Sequence, residues 1–258
     1  MTQSQSTRIV LITGAASGIG AATSRRLAGP NTSLVLHTRG SKKNRCEDLL
    51  RVATETEKSG SPTLTLFGDL AEDGVAEYLI EQSIERFGAL DQVVSNAGFA
   101  DRRPLGELDY ETLELAFKGM PGAYFKLMTA ALSTLKTSNW GRVIAISSFV
   151  TYVYKNDILF PVTAAAKAGI ESLSKSLAVQ LAPSGTTVNC VAPGYTHKDA
   201  TGHSAISEEA WQRAIDRTPM GRIAKPDDIA AMVQFLLSRD AQHVTGQVIH
   251  VDGGLSIT

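Results

Sequence analysis

A glycine-rich turn near the start of the chain has the residue types and spacing of a phosphate-binding site. In "TGAASGIG", residues 13–20, three glycines follow an apolar run directly and open a helical pattern. Gly14 permits a tight turn, Gly18 lets backbone approach a pyrophosphate, and Gly20 allows close packing of helix on strand. The helix N-terminus supplies N–H groups and a dipole that favour an anion. The pattern predicts a dinucleotide site, with a plain tight turn as the alternative.

The residues after the second apolar run bear on which dinucleotide is bound. An acidic residue at this place would bond the ribose 2′-hydroxyl and select NAD. The chain has "LHTRGSKKN", in which Thr38 takes that place and Arg39 comes next. No carboxylate is present to repel a 2′-phosphate, and a guanidinium can hold one with two parallel hydrogen bonds. We therefore expect NADP(H) to be favoured over NAD(H). The alternative is a solvated basic loop that opens a helix.

The elements that must position these motifs are predicted by the apolar pattern. Short apolar or β-branched runs predict strands at 8–13, 33–38, 63–68, 91–96, 141–147, 186–192 and 246–252. Longer segments of helical period lie near 18–28, 42–58, 72–87, 109–136, 157–182, 207–216 and 226–237. Continuous apolar runs are typical of strands buried on both faces. We expect one α/β domain over residues 1–258, a doubly wound parallel sheet of about seven strands with helices on both faces.

The composition and charge exclude several classes of protein. The formal net charge of −1 gives no electrostatic reason to expect binding to nucleic acid or to a membrane surface. No run approaches the ~18 apolar residues of a membrane span, and the polar N-terminal residues lack a signal-peptide pattern. Cys46 and Cys190 are typical of reduced thiols, and no Cys/His cluster indicates a metal. We expect a cytoplasmic protein without a bound metal.

Further motifs follow the glycine turn in a definite order. They are Asp69-Leu70, "SNAG" (95–98), "ISS" (146–148), Lys167, "PGY" (193–195) and "VTGQVIHVDGG" (244–254). This ordered set resembles the short-chain dehydrogenase/reductase superfamily across essentially the whole chain. The resemblance implies a Rossmann-type sheet that binds a nicotinamide dinucleotide and acts on a small-molecule substrate. It also implies a homotetramer or homodimer formed through the helices near 109–136 and 157–182.

The resemblance also assigns the contacts of the dinucleotide. Asp69 would contact the adenine, Asn96 and Gly98 would line the cofactor, and the segment after Pro193 would hold the carboxamide. Two alternatives stay open: Asp69 could only cap a helix that begins near Glu72, and Asn96 could tie neighbouring strands together. The residues expected to bind the dinucleotide are Gly14, Ser17, Gly18, Ile19, Gly20, Thr38, Arg39, Asp69, Leu70, Asn96, Ala97, Gly98, Lys167, Pro193, Gly194 and Thr196.

The catalytic positions of the superfamily are only partly retained. The resemblance places the serine that polarises the substrate at Ser148, with Ser147 the less favoured choice, and the active-site lysine at Lys167. The superfamily's tyrosine, four residues before the lysine, transfers a proton, and here that position is Thr163. The superfamily's asparagine corresponds to Gly119. No ammonium group brings an aliphatic alcohol within reach of neutral pH, so Thr163 cannot replace the phenol.

The loop after Ser148 carries side chains that could supply a proton instead. In "SFVTYVYKNDILF" the best phenol is Tyr154, and Asp157 could be a carboxyl donor if burial raised its pKa. The alternatives are a half-buried aromatic and a helix N-cap, respectively. Lys167 lies on an apolar face and needs a polar partner when buried, for which the nicotinamide ribose hydroxyls are suited. The candidate catalytic residues are Ser148, Lys167, Tyr154 and Asp157, together with Thr163 as the residue that occupies the tyrosine position.

Three functions from different classes fit these residues. The first is an NADP(H)-dependent carbonyl or alcohol oxidoreductase with a relocated acid. The second is a reductase of a substrate such as an iminium ion, which already carries the positive charge that a protonated carbonyl would develop. The third is a non-redox homologue: a cofactor-binding regulator, a partner subunit or an enzyme of another reaction class. We favour an oxidoreductase with an atypical active site.

Overall fold

The strands of the protein form one parallel sheet. A computed structural model describes residues 7–155, 159–197 and 208–258. Within these ranges the strands are β1 (Arg8–Thr13), β2 (Thr32–Thr38), β3 (Thr63–Phe67), β4 (Gln92–Ser95), β5 (Arg142–Ile146), β6 (Thr187–Pro193) and β7 (Val248–Val251). Their order in the sheet is β3-β2-β1-β4-β5-β6-β7, and every neighbouring pair is parallel. The predicted seven-stranded parallel sheet is confirmed.

Helices cover both faces of this sheet. They are α1 (Gly18–Leu27), α2 (Lys43–Lys58), α3 (Val75–Phe87), α4 (Tyr110–Phe117), α5 (Ala123–Thr137), α6 (Pro161–Leu181), α7 (Glu208–Arg217) and α8 (Pro226–Leu237). Successive residues of β1 belong to different buried clusters: Val10 packs with residues of α1, α2 and α8, and Leu11 with residues of α3, α5 and α6. Because side chains alternate across a strand, a strand covered on both faces reads as a continuous apolar run.

The helix predicted over 109–136 is interrupted. Between α4 and α5 the residues Lys118–Gly122 form one wide π-helical turn that contains the buried Pro121. Proline has no N–H and clashes with the preceding turn of an α-helix, and a local π-bulge accommodates it. The turn carries Gly119, the residue that was expected at the position of the superfamily's asparagine.

A crevice for a ligand arises where the strand order reverses. β1 lies between β2 and β4, and the helices that follow β1 and β4 lie on opposite faces of the sheet. In open α/β sheets, ligands bind outside the carboxyl ends of the strands at such a switch point. The glycine turn follows β1 and the "SNAG" motif follows β4, so both motifs border this crevice.

Two further expectations concern the cysteines and the membrane. Cys46 and Cys190 are both free thiols. Within the part of the chain that the structure describes, none of the helices combines the length and the apolar character that crossing a bilayer requires.

Candidate active site

The glycine turn has the shape of a phosphate cradle. A Cβ on Gly20 would lie 2.3 Å from the carbonyl oxygen of Gly14, so only a glycine lets α1 approach the turn this closely. Gly18 has a φ of +55°, and a Cβ there would meet nothing within 4 Å, which leaves open space in front of the turn. The side chain of the N-cap residue Ser17 makes no hydrogen bond to α1. The first N–H groups of a helix lack partners within it, so these residues fit a pyrophosphate.

Asn96 fastens the end of β4 to this turn. Its side-chain amide donates to the carbonyl oxygens of Thr13 and Gly14 at 3.0 and 3.1 Å. In return, the hydroxyl of Thr13 accepts hydrogen bonds from the backbone N–H groups of Asn96 and Ala97 at 3.0 and 3.1 Å. The alternative role predicted for Asn96, tying neighbouring strands, is therefore seen, and it sets the shape of the crevice from both sides.

The residues after β2 and β3 face each other at the other end of the crevice. The Arg39 guanidinium is mostly exposed and lies 3.8 Å from a carboxylate oxygen of Asp69. Asp69 also accepts a hydrogen bond from the N–H of Ala71 at 3.0 Å, while Leu70 is buried. Because α3 begins at Val75 and not near residue 72, the alternative that Asp69 caps this helix was wrong. Asp69 lies at the edge of the crevice, where its carboxylate is paired with Arg39.

Lys167 is buried beside the end of β5. Its ammonium donates to the carbonyl oxygen of Ile146 at 2.6 Å. A Cβ on Gly98 would lie 3.2 Å from the Lys167 Nζ, so the "SNAG" backbone approaches the ammonium directly. Burial lowers the pKa of Lys167 from its ordinary value to about 8. The fold thus brings Lys167 to the same edge of the sheet as Asn96 and Gly98.

The two serines that follow β5 have different surroundings. Ser147 is buried and its hydroxyl donates to the carboxylate of Glu171. Ser148 is half-buried, and among the described residues its side-chain oxygen accepts one long hydrogen bond, 3.4 Å, from the N–H of Val150. The Ser148 hydroxyl proton is therefore the one better placed to serve a substrate, which supports the preference for Ser148.

Thr163 is held by the backbone of the loop that follows β4. Its hydroxyl accepts a hydrogen bond from the N–H of Asp101 at 2.9 Å and donates to the carbonyl oxygen of the same residue at 3.4 Å. The Thr163 side chain is buried. A hydroxyl that both accepts from and donates to the backbone acts as a tether, so the Thr163 side chain connects α6 to the loop that follows β4.

The same loop covers Gly119. A Cβ on Gly119 would lie 3.3 Å from the Phe99 ring, closer than ordinary contact. In this loop the Arg102 guanidinium also lies over the Phe160 ring, 5.6 Å from its centre. Thr163 and Gly119, the two positions at which the sequence was expected to depart from the superfamily's catalytic set, thus both lie against the segment Phe99–Asp101.

Removing the Thr163 hydroxyl tests the tether. In Thr163→Val the N–H of Asp101 loses its acceptor, and a buried unpaired N–H costs about 1–3 kcal/mol. We expect the Tm to fall by about 3–8 °C and hydrogen exchange of the Asp101 amide to accelerate. The matched control is Thr129→Val, since the exposed Thr129 hydroxyl only donates to its own helix at Phe125. Equal melting shifts in the two variants would show that the tether does not hold the loop.

Of the two proton donors proposed for the loop after Ser148, Tyr154 is among the described residues and Asp157 lies outside them. Tyr154 is 70% exposed, and its phenol donates to the carbonyl oxygen of Thr151 at 3.1 Å. The other phenol of this loop, Tyr152, donates to Glu171 at 2.5 Å. Both described phenols are therefore engaged with other groups of the chain.

The segment after β6 is closely fitted to the C-terminal segment. A Cβ on Gly194 would lie 2.7 Å from the Cα of Asp252, which explains the glycine after Pro193. The hydroxyl of Thr196 donates to the Gly194 carbonyl oxygen at 3.0 Å. These contacts position the stretch that was predicted to hold the carboxamide.

Sequence reasoning missed Glu171. It is buried on α6, one turn after Lys167, and accepts hydroxyl hydrogen bonds from Ser147, Thr151 and Tyr152. The signal was available, because a charged residue on the apolar face that also carries Lys167 needs a polar partner when buried.

Comparisons with known proteins agree with this geometry. A family model described as "Enoyl-(Acyl carrier protein) reductase" matches residues 14–256. The chain belongs to the short-chain dehydrogenase/reductase superfamily. An L-rhamnose 1-dehydrogenase (NAD(P)(+)) of Azotobacter vinelandii is 32% identical over 251 residues, which cover 97% of each chain. A 3-oxoacyl-(acyl-carrier-protein) reductase of Staphylococcus aureus is 32% identical over 250 residues, which cover 96% of this chain and 98% of the relative.

Solved structures share this fold along nearly the whole chain. The crystal structure of levodione reductase superposes with a TM-score of 0.88 at 28% sequence identity, covering 98% of this chain and 99% of the other. The named relatives are dehydrogenases and reductases that differ widely in substrate. Membership therefore indicates an oxidoreductase, and the identity of the substrate depends on the site itself.

Proposed function

We propose that this protein is an NADP(H)-dependent oxidoreductase that reduces a C=O or C=N bond of a small organic substrate without the superfamily's tyrosine. The observation that carries the proposal is the position of Lys167, buried beside Gly98 at the same sheet edge as the intact glycine cradle. A buried ammonium is costly unless it has polar partners. Lys167 donates to the Ile146 carbonyl oxygen, and the ribose hydroxyls of a bound dinucleotide would supply further partners.

Each group of residues has a separate role in this proposal. The glycine turn and α1 bind the pyrophosphate, and Arg39 with Thr38 receives the 2′-phosphate. Lys167 bonds the nicotinamide ribose hydroxyls, and Ser148 donates a hydrogen bond to the reacting group of the substrate. When bound, the dinucleotide supplies the hydride.

The hydrogen bonds of the candidate donors favour a substrate that needs no proton from the protein. The hydroxyl of Thr163 is held by Asp101, Tyr152 by Glu171, and Tyr154 by the Thr151 carbonyl. An iminium ion already carries the charge that a carbonyl acquires only on protonation. We therefore favour C=N over C=O, and a ketone reductase that uses Asp157 is the alternative.

The proposal is tested by binding first and turnover second. Purified protein is titrated with NADPH and with NADH, and then given 2-methyl-1-pyrroline, protonated at neutral pH, or the matched ketone cyclopentanone. We expect tight NADPH binding, weak NADH binding and faster turnover of the imine. Binding of neither dinucleotide would overturn the proposal and leave the non-redox class.

Arg39 is expected to decide the preference for NADPH. Charge-assisted hydrogen bonds contribute about 1.5–3 kcal/mol each, so Arg39→Ala should weaken NADPH binding by about 10- to 100-fold. NADH binding should change less than about twofold, since it has no 2′-phosphate for Arg39 to bind. The matched control is Arg51→Ala, because the side chains of Arg39 and Arg51 are both 61% exposed and Arg51 only pairs with Asp48. An unchanged NADPH-to-NADH ratio in Arg39→Ala would assign the phosphate to Lys42 and Lys43 instead.

We also propose that the protein is a homodimer or homotetramer through α4, α5 and α6. Large apolar side chains on these helices are exposed, among them Leu115 on α4, Phe125 on α5 and Val179 on α6. A second copy packed on these helices would cover them.

A further inference from the structure

The carboxylate of Glu171 occupies an unusual position, buried between the end of β5 and the turn that follows it. It accepts hydrogen bonds from the hydroxyls of Ser147, Thr151 and Tyr152. These three residues flank Ser148 on both sides. Replacement of Glu171 by an apolar residue would leave the hydroxyls of Ser147 and Tyr152 without their acceptor, whereas Thr151 would keep its 2.9 Å bond to the Ser148 carbonyl oxygen. The carboxylate therefore fixes the path of the segment that carries Ser148.

Glu171 and Lys167 hold consecutive residues of the same strand end. Lys167 donates to the carbonyl oxygen of Ile146, and the next residue, Ser147, donates to Glu171. The two side chains are four positions apart on α6, which places them on one face of the helix. Within the described chain the hydrogen-bond partner of the ammonium is a neutral carbonyl, and the charge of Glu171, one helical turn away, raises the pKa of Lys167.

We propose that Glu171 is a positioning residue of this site: it holds the segment around Ser148 and supplies the counter-charge that keeps Lys167 an ammonium ion. The residue has no part in the superfamily's catalytic set as described above. Its effect on cofactor binding rests on the proposed function, whereas its effect on Lys167 does not.

The groups around the pair set the expected pH dependence. Around Lys167 lie Glu171 on α6, the thiol of Cys190 on β6 and the backbone of Gly98. Burial raises the pKa of the Cys190 thiol to about 11, so it stays neutral near pH 8. Burial, followed by the hydrogen bond to Glu171, raises the pKa of Tyr152, whose ring also contacts His250.

These shifts give the direction of each effect. Burial lowers the pKa of Lys167 to about 8, and the charge of Glu171 opposes that decrease. Removal of the charge should therefore lower the pKa of Lys167 further, so that the ammonium is lost at a lower pH. Lys175 lies near Cys190 and carries its own charge, but it is exposed.

The first test needs no cofactor. Lys167→Met, Glu171→Gln and the double variant are melted at pH 7 and at pH 9.5. At pH 7 the Tm shift of the double variant should differ by about 3 °C or more from the sum of the two single-variant shifts, as expected of charges that interact. At pH 9.5, above the pKa of Lys167, this non-additivity should shrink. Additive shifts at both pH values would overturn the proposal. If Glu171→Gln alone does not fold, the double variant decides: it folds if the unpaired charge of Lys167 was the cause, and its failure to fold contradicts the proposal.

The second test uses the pH profile of NADPH affinity. Affinity of the wild type should weaken as the pH rises through about 8, and in Glu171→Gln this midpoint should move down by about one pH unit. Tyr152→Phe, which removes one hydrogen bond and keeps the charge, is the matched control and should leave the midpoint in place. Equal midpoints in all three proteins would contradict the proposal. If no variant and no wild type binds NADPH, the proposed function fails, and the melting cycle still tests the role of Glu171.

Discussion

Thr163→Tyr should accelerate the reduction of cyclopentanone by about 10- to 100-fold and leave the reduction of protonated 2-methyl-1-pyrroline nearly unchanged. Position 163 lies one helical turn before Lys167, so the new side chain shares its face of α6. The ammonium lowers the pKa of a phenol beside it, and a positioned general acid contributes about 10²–10⁴-fold. We expect a gain at or below the bottom of that range because Gly119 offers no side chain to complete a proton relay.

The gain should come with a loss of stability. A phenol ring is larger than the buried Thr163 side chain, and the N–H of Asp101 loses its acceptor. Overpacking and an unpaired N–H each destabilise, so the Tm should fall by several degrees. The experiment compares initial rates of both substrates with NADPH at pH 7.

Thr163→Phe is the matched control for the ketone reaction. It introduces the same ring without the hydroxyl, so it should melt like the tyrosine variant and show no gain with the ketone. Equal ketone rates in the tyrosine and phenylalanine variants would mean that proton transfer from position 163 does not limit this reaction.

Gly20→Ala should weaken NADPH binding by about 100-fold or more. A Cβ at this position would lie 2.3 Å from the Gly14 carbonyl oxygen and 2.7 Å from the side-chain nitrogen of Asn96. Both contacts are too short to exist, so α1 must move away and the turn must open. The loss of two charge-assisted hydrogen bonds to the pyrophosphate is enough to account for the change in affinity.

Gly29→Ala is the matched control for this change. Gly29 follows the same helix, and a Cβ there would meet nothing within 4 Å. It should bind NADPH like the wild type when both are measured by fluorescence titration. If Gly20→Ala also bound normally, the close approach of α1 to the turn would not be what forms the cradle.

The strands were predicted to within two residues at either end because strands buried on both faces are continuous apolar runs. The helix boundaries were predicted less accurately. Nothing in the apolar periodicity distinguished one helix over 109–136 from two helices joined by a π-helical turn at Pro121, because the apolar spacing continues across it. α3 begins at Val75 since Gly74, with a φ of +82°, is its N-cap.

The sequence predicted those parts of the candidate site that have a local sequence pattern: the glycine turn, Asn96 and Lys167. The hydrogen bond between Thr163 and Asp101 could not be predicted, because the two residues are 62 positions apart and the bond depends on the path of a loop. Glu171 was missed although a charged residue on the apolar face of α6 indicates a buried polar partner. Only the identity of its donors, which come from the turn after β5, depends on the fold.

The place of β1 in the middle of the sheet has a consequence for how the chain folds. One edge of β1 pairs with β2, which follows it closely in the sequence. The other edge pairs with β4, and the hydrogen bonds between Thr13 and Asn96 there join residues 83 positions apart. At a synthesis rate of roughly 5–20 residues per second, the apolar edge of β1 stays open for about 4–16 s. An open, apolar strand edge pairs readily with other chains. The half-made protein on the ribosome is therefore the form most exposed to aggregation, and the contacts that shape the crevice are also those that end this exposure.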